Sequence, residues 1–403
     1  MEQSIKNNKL KYSSLLNLYL AQSVPMSFFA SVLPVIMREN GFSLTSIGLL
    51  QLIKLPWLLK FLWAPVIDAQ TKNILDYKKW IIGSEIFYAL TIFIIAFLNL
   101  EIQFKLIIIL LLIAFTASAT QDIATDAFAY LILKKDERSI GSSVQTAGNF
   151  LGALLGSGFL LIIYAYLGWK ILIFSLAGFV LIALIPIGLY QPQIKQKQKK
   201  KPAKIKDLFL FFKQPKIIYR ILILLTFYWS IIGILSMLKP WMVDMKYSIK
   251  EIGIFSGLYG PIAGFVMAFF MGKVIRKTGL TKALKLILFL SLFTTIYFYW
   301  IKTNHISYIL LQIGIFLIWG IYSMMTVFIY TFIMERIRQG KAGTDFTLQI
   351  VLAHIGSLVM AVLSGKIAHH IGYDKLFLME IILASISLIL IPYLFKKTLK
   401  YEL

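Results

Sequence analysis

Two carboxylates one helical turn apart stand out in the stretch 121–127, which reads Gln-Asp-Ile-Ala-Thr-Asp-Ala. Asp122 and Asp126 lie inside an apolar run from Leu106 to Leu133, and residues four apart share one face of an α-helix. A charge in hydrocarbon costs a few kcal/mol or more, so intramembrane acids usually face a bundle interior or a wet cavity. Three chemistries would explain the pair: proton binding, substrate binding, or a buried ion pair that acts as a lock.

The elements that must position these acids are membrane helices, because the chain is far more apolar than a soluble domain. Of its 403 residues, 59% are hydrophobic and only 15% are charged, with a mean hydropathy of +0.80. The absence of cysteine excludes disulfides, thiolate catalysis and cysteine metal sites. Apolar segments long enough to span a bilayer fall near residues 13–36, 45–66, 80–98, 105–132, 142–165, 170–190, 217–239, 251–272, 283–301, 306–333, 344–365 and 376–395. The sequence therefore predicts an all-α integral membrane protein with twelve transmembrane helices.

The basic residues border these predicted spans. A net charge of +23 would suggest nucleic-acid binding in a soluble protein, but most of the 41 lysines and arginines occupy the two termini and every second connection. The positive-inside rule then places both termini in the cytoplasm. We expect a multi-pass inner-membrane protein that contacts the lipid bilayer, binds no nucleic acid and works as a monomer.

The longest connection, 191–216, is rich in lysine and divides the predicted spans into six and six. The two halves resemble each other, since Phe42–Gly48 before the second span matches Tyr247–Gly253 before the eighth. We predict two six-helix bundles, 1–190 and 217–403, related by a parallel repeat and joined by a basic cytoplasmic linker. This is the architecture of the major facilitator fold, in which substrate sits between halves that rock around it.

Small residues recur at every fourth position in the fifth predicted span. Gly148, Gly152 and Gly156 carry this spacing, which lets helix backbones approach closely. Two interpretations stay open: ordinary helix packing, or a sliding interface between the halves.

Four charges fall at similar depth in the N-terminal half when the helices rise 1.5 Å per residue. They are Lys60, Glu85, Asp122 and Asp126, and opposite charges at that depth would pair. One interpretation is a protonation switch, in which opening or closing a cavity changes the burial of an aspartate and its distance from the lysine. The other is a static charge network at a cytoplasmic gate. For Glu85 we favour a structural role, because we place it near the headgroups, where water reaches.

Other polar and aromatic side chains within the spans are candidates for a substrate cavity. Lys54 and His354 fall near the midplane, and His354 is either a hydrogen-bonded packing residue or a group that titrates near neutral pH. No metal-ligand spacing, cofactor motif or nucleophile–base pair appears, so we expect neither a metal, a cofactor nor an enzyme. The cavity candidates are Gln22, Lys54, Gln145, Asn149, Gln312, Trp319 and His354.

Two blocks in the N-terminal half resemble a known family of permeases. Leu58–Asp68, Leu-Leu-Lys-Phe-Leu-Trp-Ala-Pro-Val-Ile-Asp, and Ala117–Ala127 are similar to blocks of AmpG-type muropeptide permeases and related acetyl-coenzyme A transporters. In the C-terminal half, Ala342–Gln349 looks more like the RhtX/FptX siderophore permeases.

The resemblance implies a proton-driven importer of the major facilitator superfamily. By this match, Asp122 and Asp126, with Gln121, become the coupling or substrate-binding residues, and Lys60 and Asp68 become gate residues. Ala69-Gln70 replaces the basic residue that usually follows in the superfamily's loop, so the chain departs from the superfamily's pattern at this gate.

The function expected from these observations is secondary active transport by alternating access, as a proton symporter that imports an organic solute such as a siderophore. The alternative is a muropeptide or peptide permease, and a remote alternative is a membrane-embedded sensor or enzyme.

We predict that Asp122→Asn or Asp126→Asn abolishes uphill uptake and leaves folding intact, because each change removes a titratable group and keeps the side-chain shape. Uptake into proteoliposomes under an imposed proton gradient measures the effect. Wild-type accumulation in both variants would leave the two acids with a structural role at most.

Overall fold

A computed structural model describes residues 2–192, 203–304 and 307–399, and these parts of the chain are helical with no strand. The middle of the predicted linker, 193–202, lies outside the described residues. The α-helices are α1 (Glu2–Ser27), α2 (Leu33–Glu39), α3 (Leu44–Leu49), α4 (Leu55–Leu59), α5 (Ala64–Gln70), α6 (Ile74–Ile95), α7 (Phe104–Ile132), α8 (Arg138–Leu154), α9 (Leu160–Ala183), α10 (Ile185–Leu189), α11 (Lys206–Phe212), α12 (Ile217–Thr226), α13 (Trp229–Asp244), α14 (Ile249–Ile254), α15 (Gly260–Thr303), α16 (Tyr308–Met334) and α17 (Ala342–Leu399).

Several of these helices are long and apolar enough to cross a membrane. Within the described ranges there are 7 such helices, or up to 8 if the pair 46–62 and 64–70, bent by 51°, forms one span. The chain is thus a multi-pass membrane protein.

Three helices, α9, α15 and α17, each contain a kink at a glycine. Gly168 in α9, Gly279 in α15 and Gly372 in α17 have φ values of 72°, 76° and 83°. A side chain is strongly disfavoured at such positive φ angles, so glycine is the natural residue at each of these turns. Each glycine separates two helical segments, so α9, α15 and α17 are not single continuous helices.

Prolines explain the broken course of the second predicted span. Pro56 and Pro65 stand at the starts of α4 and α5, where a missing N–H is tolerated. Short 3-10 turns, Leu50–Lys54 and Lys60–Leu62, connect α3, α4 and α5. The result is a bent segment that presents Lys60 from a 3-10 turn.

The described residues cluster into two compact units, which do not follow the predicted boundaries at every point. Unit 1 contains Met1–Lys135, Gly148–Leu208 and Ile337–Thr347, and unit 2 contains Asp136–Ala147, Phe209–Arg336 and Leu348–Leu403. Each unit thus includes a short segment from the other half of the sequence. The predicted division at 190 and 217 stays a prediction.

The small-residue stripe, which runs from α8 into the π-helical turn Leu155–Phe159 after it, lies against α1 inside unit 1. A Cβ at Gly148 would stand 2.9 Å from Cβ of Tyr19, and one at Gly156 would stand 2.8 Å from Cβ of Ser27. At Gly152 an added Cβ would overlap Ser23. The described contacts therefore give the stripe a packing role between α1 and α8.

We predict that Gly152→Ala destabilises the protein by about 1–3 kcal/mol, the usual cost of overpacking. The clash with Ser23 outweighs the gain of replacing glycine in a helix, about 0.5–1 kcal/mol. The midpoint of thermal unfolding in detergent measures the change. Gly178→Ala in α9 is the matched control, because nothing lies within 4 Å of its added Cβ; equal midpoints for both variants would contradict the close packing.

Candidate functional site

The first feature of the site is a buried ion pair between α7 and the second predicted span. The ammonium group of Lys60 donates a hydrogen bond to Oδ2 of Asp122. Lys60 is 1% exposed and Asp122 is 4% exposed, and Lys60 Nζ also lies 4.9 Å from the centroid of the Trp57 ring. The structure therefore joins the two opposite charges that the depth estimate placed at one level.

The second acid of α7 contacts α1. Tyr19 donates a hydrogen bond of 2.8 Å from its hydroxyl to Oδ1 of Asp126. Three residues further along α1, the side-chain amide of Gln22 donates to Oε1 of Gln121. The face of α1 that carries Tyr19 and Gln22 thus lies along the polar face of α7.

Two further contacts extend this polar region within unit 1. Ser23 donates a hydrogen bond of 2.8 Å to Oδ1 of Asn149 on α8. The indole N–H of Trp63 donates a hydrogen bond of 3.1 Å to Oγ1 of Thr120. Gln22 and Ser23, which are consecutive in α1, therefore donate hydrogen bonds to α7 and α8 respectively.

Asp68 binds the first turn of α17. Its Oδ1 accepts the backbone N–H of Gly343 at 2.9 Å, and its Oδ2 accepts the backbone N–H of Thr344 at 2.8 Å and the Thr344 hydroxyl at 2.6 Å. The hydroxyl of Tyr77 donates to Oδ1 at 2.6 Å. The first amides of a helix have no partner within it and carry partial positive charge, so a carboxylate is well placed here.

A second carboxylate near the start of α17 binds the preceding loop. Asp345 accepts hydrogen bonds from the Arg338 guanidinium, including Nη2 to Oδ1 at 2.6 Å and Nε to Oδ2 at 2.9 Å. Arg338 also donates to the backbone carbonyl of Asp207 at 2.9 Å. The ammonium of Lys341 lies 2.7 Å from Oδ2 of Asp207.

These contacts shift the pKa values of two groups outside the membrane spans. Burial alone would raise the pKa of Asp207, but hydrogen bonds from Lys341 and from the backbone of Lys204 outweigh burial and hold this pKa below its usual value. For Arg338, burial acts to lower the pKa, and the bonds to Asp345 more than offset it, so that the pKa is raised. Both groups therefore keep their charges at neutral pH.

The structure corrects our placement of Glu85 near water, because this residue is buried within α6. Helix α6 begins at Ile74, which sets Glu85 about 16 Å along the helix at 1.5 Å per residue. The residue is 0% exposed, and neither carboxyl oxygen has a hydrogen-bond partner among the described residues. Glu85 therefore takes no part in the ion pair of Lys60.

The cavity candidates are divided between the two units. In unit 1, Lys54 is exposed and donates to Gln51 at 2.8 Å, while Gln22 is buried. In unit 2, Gln145 is buried, Gln312 is half-buried and His354 is exposed. The half-buried ring of Trp319 lies against Gly260, where an added Cβ would stand 2.7 Å from the indole nitrogen.

Sequence reasoning missed the partners of Asp68 and of Asp207. The start of α17 could have been found as a place that favours an acid, because the first amides of a helix attract anions, but not that Asp68 is the acid. Tyr77, Arg338 and Lys341 carried no such local signal.

Apolar helices that cross a membrane repeatedly, with charges paired inside them, are typical of membrane proteins that move ions, protons or substrates. The chain belongs to the Major Facilitator Superfamily, whose sequence pattern matches residues 15–353. This confirms the resemblance to that superfamily and makes the protein a transporter and not an enzyme.

Curated relatives cover nearly the whole chain. The anhydromuropeptide permease of Escherichia coli (strain K12) is 22% identical over 394 residues, covering 96% of this chain and 80% of that protein. A putative transporter AmpG 1 of Rickettsia bellii is 26% identical over 379 residues, covering 88% of this chain and 91% of that protein. These relatives confirm the AmpG-like group. They favour the muropeptide alternative over our leading expectation of siderophore import, which they do not support.

A solved structure supports the same fold. A bacterial homologue of the iron transporter ferroportin, in an outward-facing state, superimposes with a TM-score of 0.69 at 14% identity, covering 97% of this chain and 99% of that chain. At this identity the likeness concerns the fold alone.

The ion pair changes our expectation that Asp122→Asn leaves folding intact. Asp122→Asn leaves Lys60 buried without its counter-charge, so we predict a loss of about 3–5 kcal/mol of folding stability. Adding Lys60→Met recovers most of that loss, because the remaining groups are neutral. Thermal unfolding midpoints of the single and double variants measure the coupling.

The control for this pair is Lys54→Met, which removes an exposed lysine of the same span and is expected to change the midpoint little. If Lys60→Met and Asp122→Asn have additive effects, the two charges do not stabilise each other.

Proposed function

We propose that the protein is an inner-membrane permease that imports anhydromuropeptide by alternating access. The observation that carries the proposal is the combination of near-full-length similarity to a named anhydromuropeptide permease with the blocks Leu58–Asp68 and Ala117–Ala127. These blocks contain Lys60, Asp68, Asp122 and Asp126, whose side chains are all buried and hydrogen-bonded.

The proposal includes twelve membrane crossings in two bundles of six, with both termini in the cytoplasm. The kinks at Gly168, Gly279 and Gly372 support this count, because each one divides a long helix into two segments. The concentration of lysine and arginine in the termini and in every second connection supports the orientation.

Proton coupling is the second part of the proposal, and it concerns Asp126 above all. Asp122 has a lysine partner and contributes to stability. Asp126 is 1% exposed and accepts a hydrogen bond from the hydroxyl of Tyr19, an arrangement that a protonated carboxyl also allows. We therefore assign the transported proton to Asp126 and the fixed charge to Asp122.

The polar region of unit 1 is suited to a sugar–peptide substrate. Gln22, Gln121, Ser23 and Asn149 already bond to one another in pairs, and amide and hydroxyl groups can exchange such bonds for bonds to hydroxyls and peptide groups of a ligand. Gln145, Gln312, Trp319, His354 and Lys54 stay candidates for the remainder of the substrate path, and Glu85 has a structural role.

Transport into proteoliposomes tests the proposal. With unlabelled anhydromuropeptide inside, we expect labelled anhydromuropeptide to accumulate transiently by exchange, without any imposed gradient. Under an inwardly directed proton gradient, the wild-type protein should accumulate it uphill. Asp126→Asn should retain exchange and lose uphill uptake, since exchange needs no net proton movement.

The free sugar and the free peptide serve as control solutes in the same vesicles. Folded wild-type protein that exchanges no anhydromuropeptide would contradict the proposed substrate. Uphill uptake by Asp126→Asn at the wild-type level would contradict the assignment of the proton.

A further inference from the structure

A recess of about 790 Å³ lies between α6 and α7, with the end of α5 at one side. Residues from Asp76 to Phe87 on one face of α6 form one wall, and residues from Leu112 to Thr120 on α7 form the other. At 1.5 Å per residue, the α6 wall is about 16 Å long. The hydrocarbon of one leaflet is about 15 Å thick, half of the bilayer core. The recess therefore has the length of a single leaflet.

The middle and one end of the recess are apolar and open. Nothing lies within 4 Å of a Cβ added at Gly83, so the recess is open beside this residue. Beyond it, Phe87, Leu112 and Ile113 line the recess, and Phe87 is 52% exposed. This part suits an extended hydrocarbon chain.

The other end, at the N-terminus of α6, is polar and carries one acid, Asp76, and one base, Lys79. Oδ2 of Asp76 accepts the backbone N–H groups of Lys72 and Asn73 at 2.9 and 3.1 Å, so its charge already serves the helix end. The side chain of Lys79 is 81% exposed, with Nζ 3.6 Å from Oδ1 of Asp76. Trp80 lies beside it in the lining, and tryptophan favours the border between headgroups and hydrocarbon.

We propose that this recess binds one anionic phospholipid of the cytoplasmic leaflet. Its phosphate contacts Lys79 at the start of α6, and one acyl chain runs past Gly83 toward Phe87. The leaflet assignment rests on the topology proposed above. A membrane-spanning helix of a second copy would need a groove of about 30 Å, twice the length present, and a sugar–peptide would find few partners in the apolar part.

Lipid binding to the purified full chain in detergent tests this proposal. Native mass spectrometry would compare phosphatidylglycerol with phosphatidylcholine of identical acyl chains. We expect wild type to retain phosphatidylglycerol preferentially. Lys79→Gln should weaken phosphatidylglycerol binding about fivefold, the effect of one basic residue at an anionic surface, and leave phosphatidylcholine binding unchanged. Gly83→Leu should lose most of both lipids.

Two matched variants serve as controls. Lys285→Gln removes an exposed lysine of α15, and Gly178→Leu adds a side chain where nothing lies within 4 Å of the Cβ. Both should bind phosphatidylglycerol as wild type does. Thermal unfolding without added lipid verifies that Gly83→Leu is folded, and added phosphatidylglycerol should raise the midpoint of wild type but not of this variant.

Equal retention of the two lipids by wild type, or phosphatidylglycerol binding unchanged in Lys79→Gln, would overturn the anionic headgroup. A dimer that Gly83→Leu dissociates would overturn the lipid and assign the recess to a second copy. These outcomes are independent of the transported substrate, because the lipid assay involves no transport.

Discussion

The contact between Lys60 and Asp122 fixes the second predicted span against α7. Both side chains are almost completely removed from water, where an isolated charge is several kcal/mol too costly to persist. The lysine is presented by a 3-10 turn between Pro56 and Pro65, and the Trp57 ring covers its ammonium. The bend of the second span and the packing of this span against α7 therefore together allow two opposite charges to be buried as a pair.

A related constraint acts at the start of α17. The first backbone amides of a helix need acceptors, and Asp68 supplies them for Gly343 and Thr344. A Cβ at Gly343 would stand 2.9 Å from Oδ1 of Asp68, so the glycine makes room for the carboxylate. Nearby, Arg338 is held between Asp345 and the carbonyl of Asp207. Asp68 thus accepts the hydrogen bonds that the first amides of α17 cannot make within the helix.

The sequence predicts well what depends on local pattern. The apolar runs and the shared depth of Lys60 and Asp122 both follow from spacing and hydropathy. Hydrogen bonds between distant segments that carry no opposite charges are beyond such reasoning: Asp68 and Gly343 are 275 residues apart, and Tyr19 and Asp126 are 107 apart. Glu85 shows a different limit. We placed the start of the third span near residue 80, whereas α6 begins at Ile74, and the position that we expected near water is buried. The siderophore expectation depended on one short block of the C-terminal half, and similarity over the whole chain outweighs it.

The central claim is that inward movement of anhydromuropeptide carries a proton through Asp126. The most direct test records the lumenal pH of proteoliposomes with a trapped fluorescent indicator while anhydromuropeptide is added outside, with no proton gradient imposed. The account predicts that the lumen acidifies in step with uptake in wild type and does not acidify in Asp126→Asn. Uptake by wild type without any acidification would contradict it.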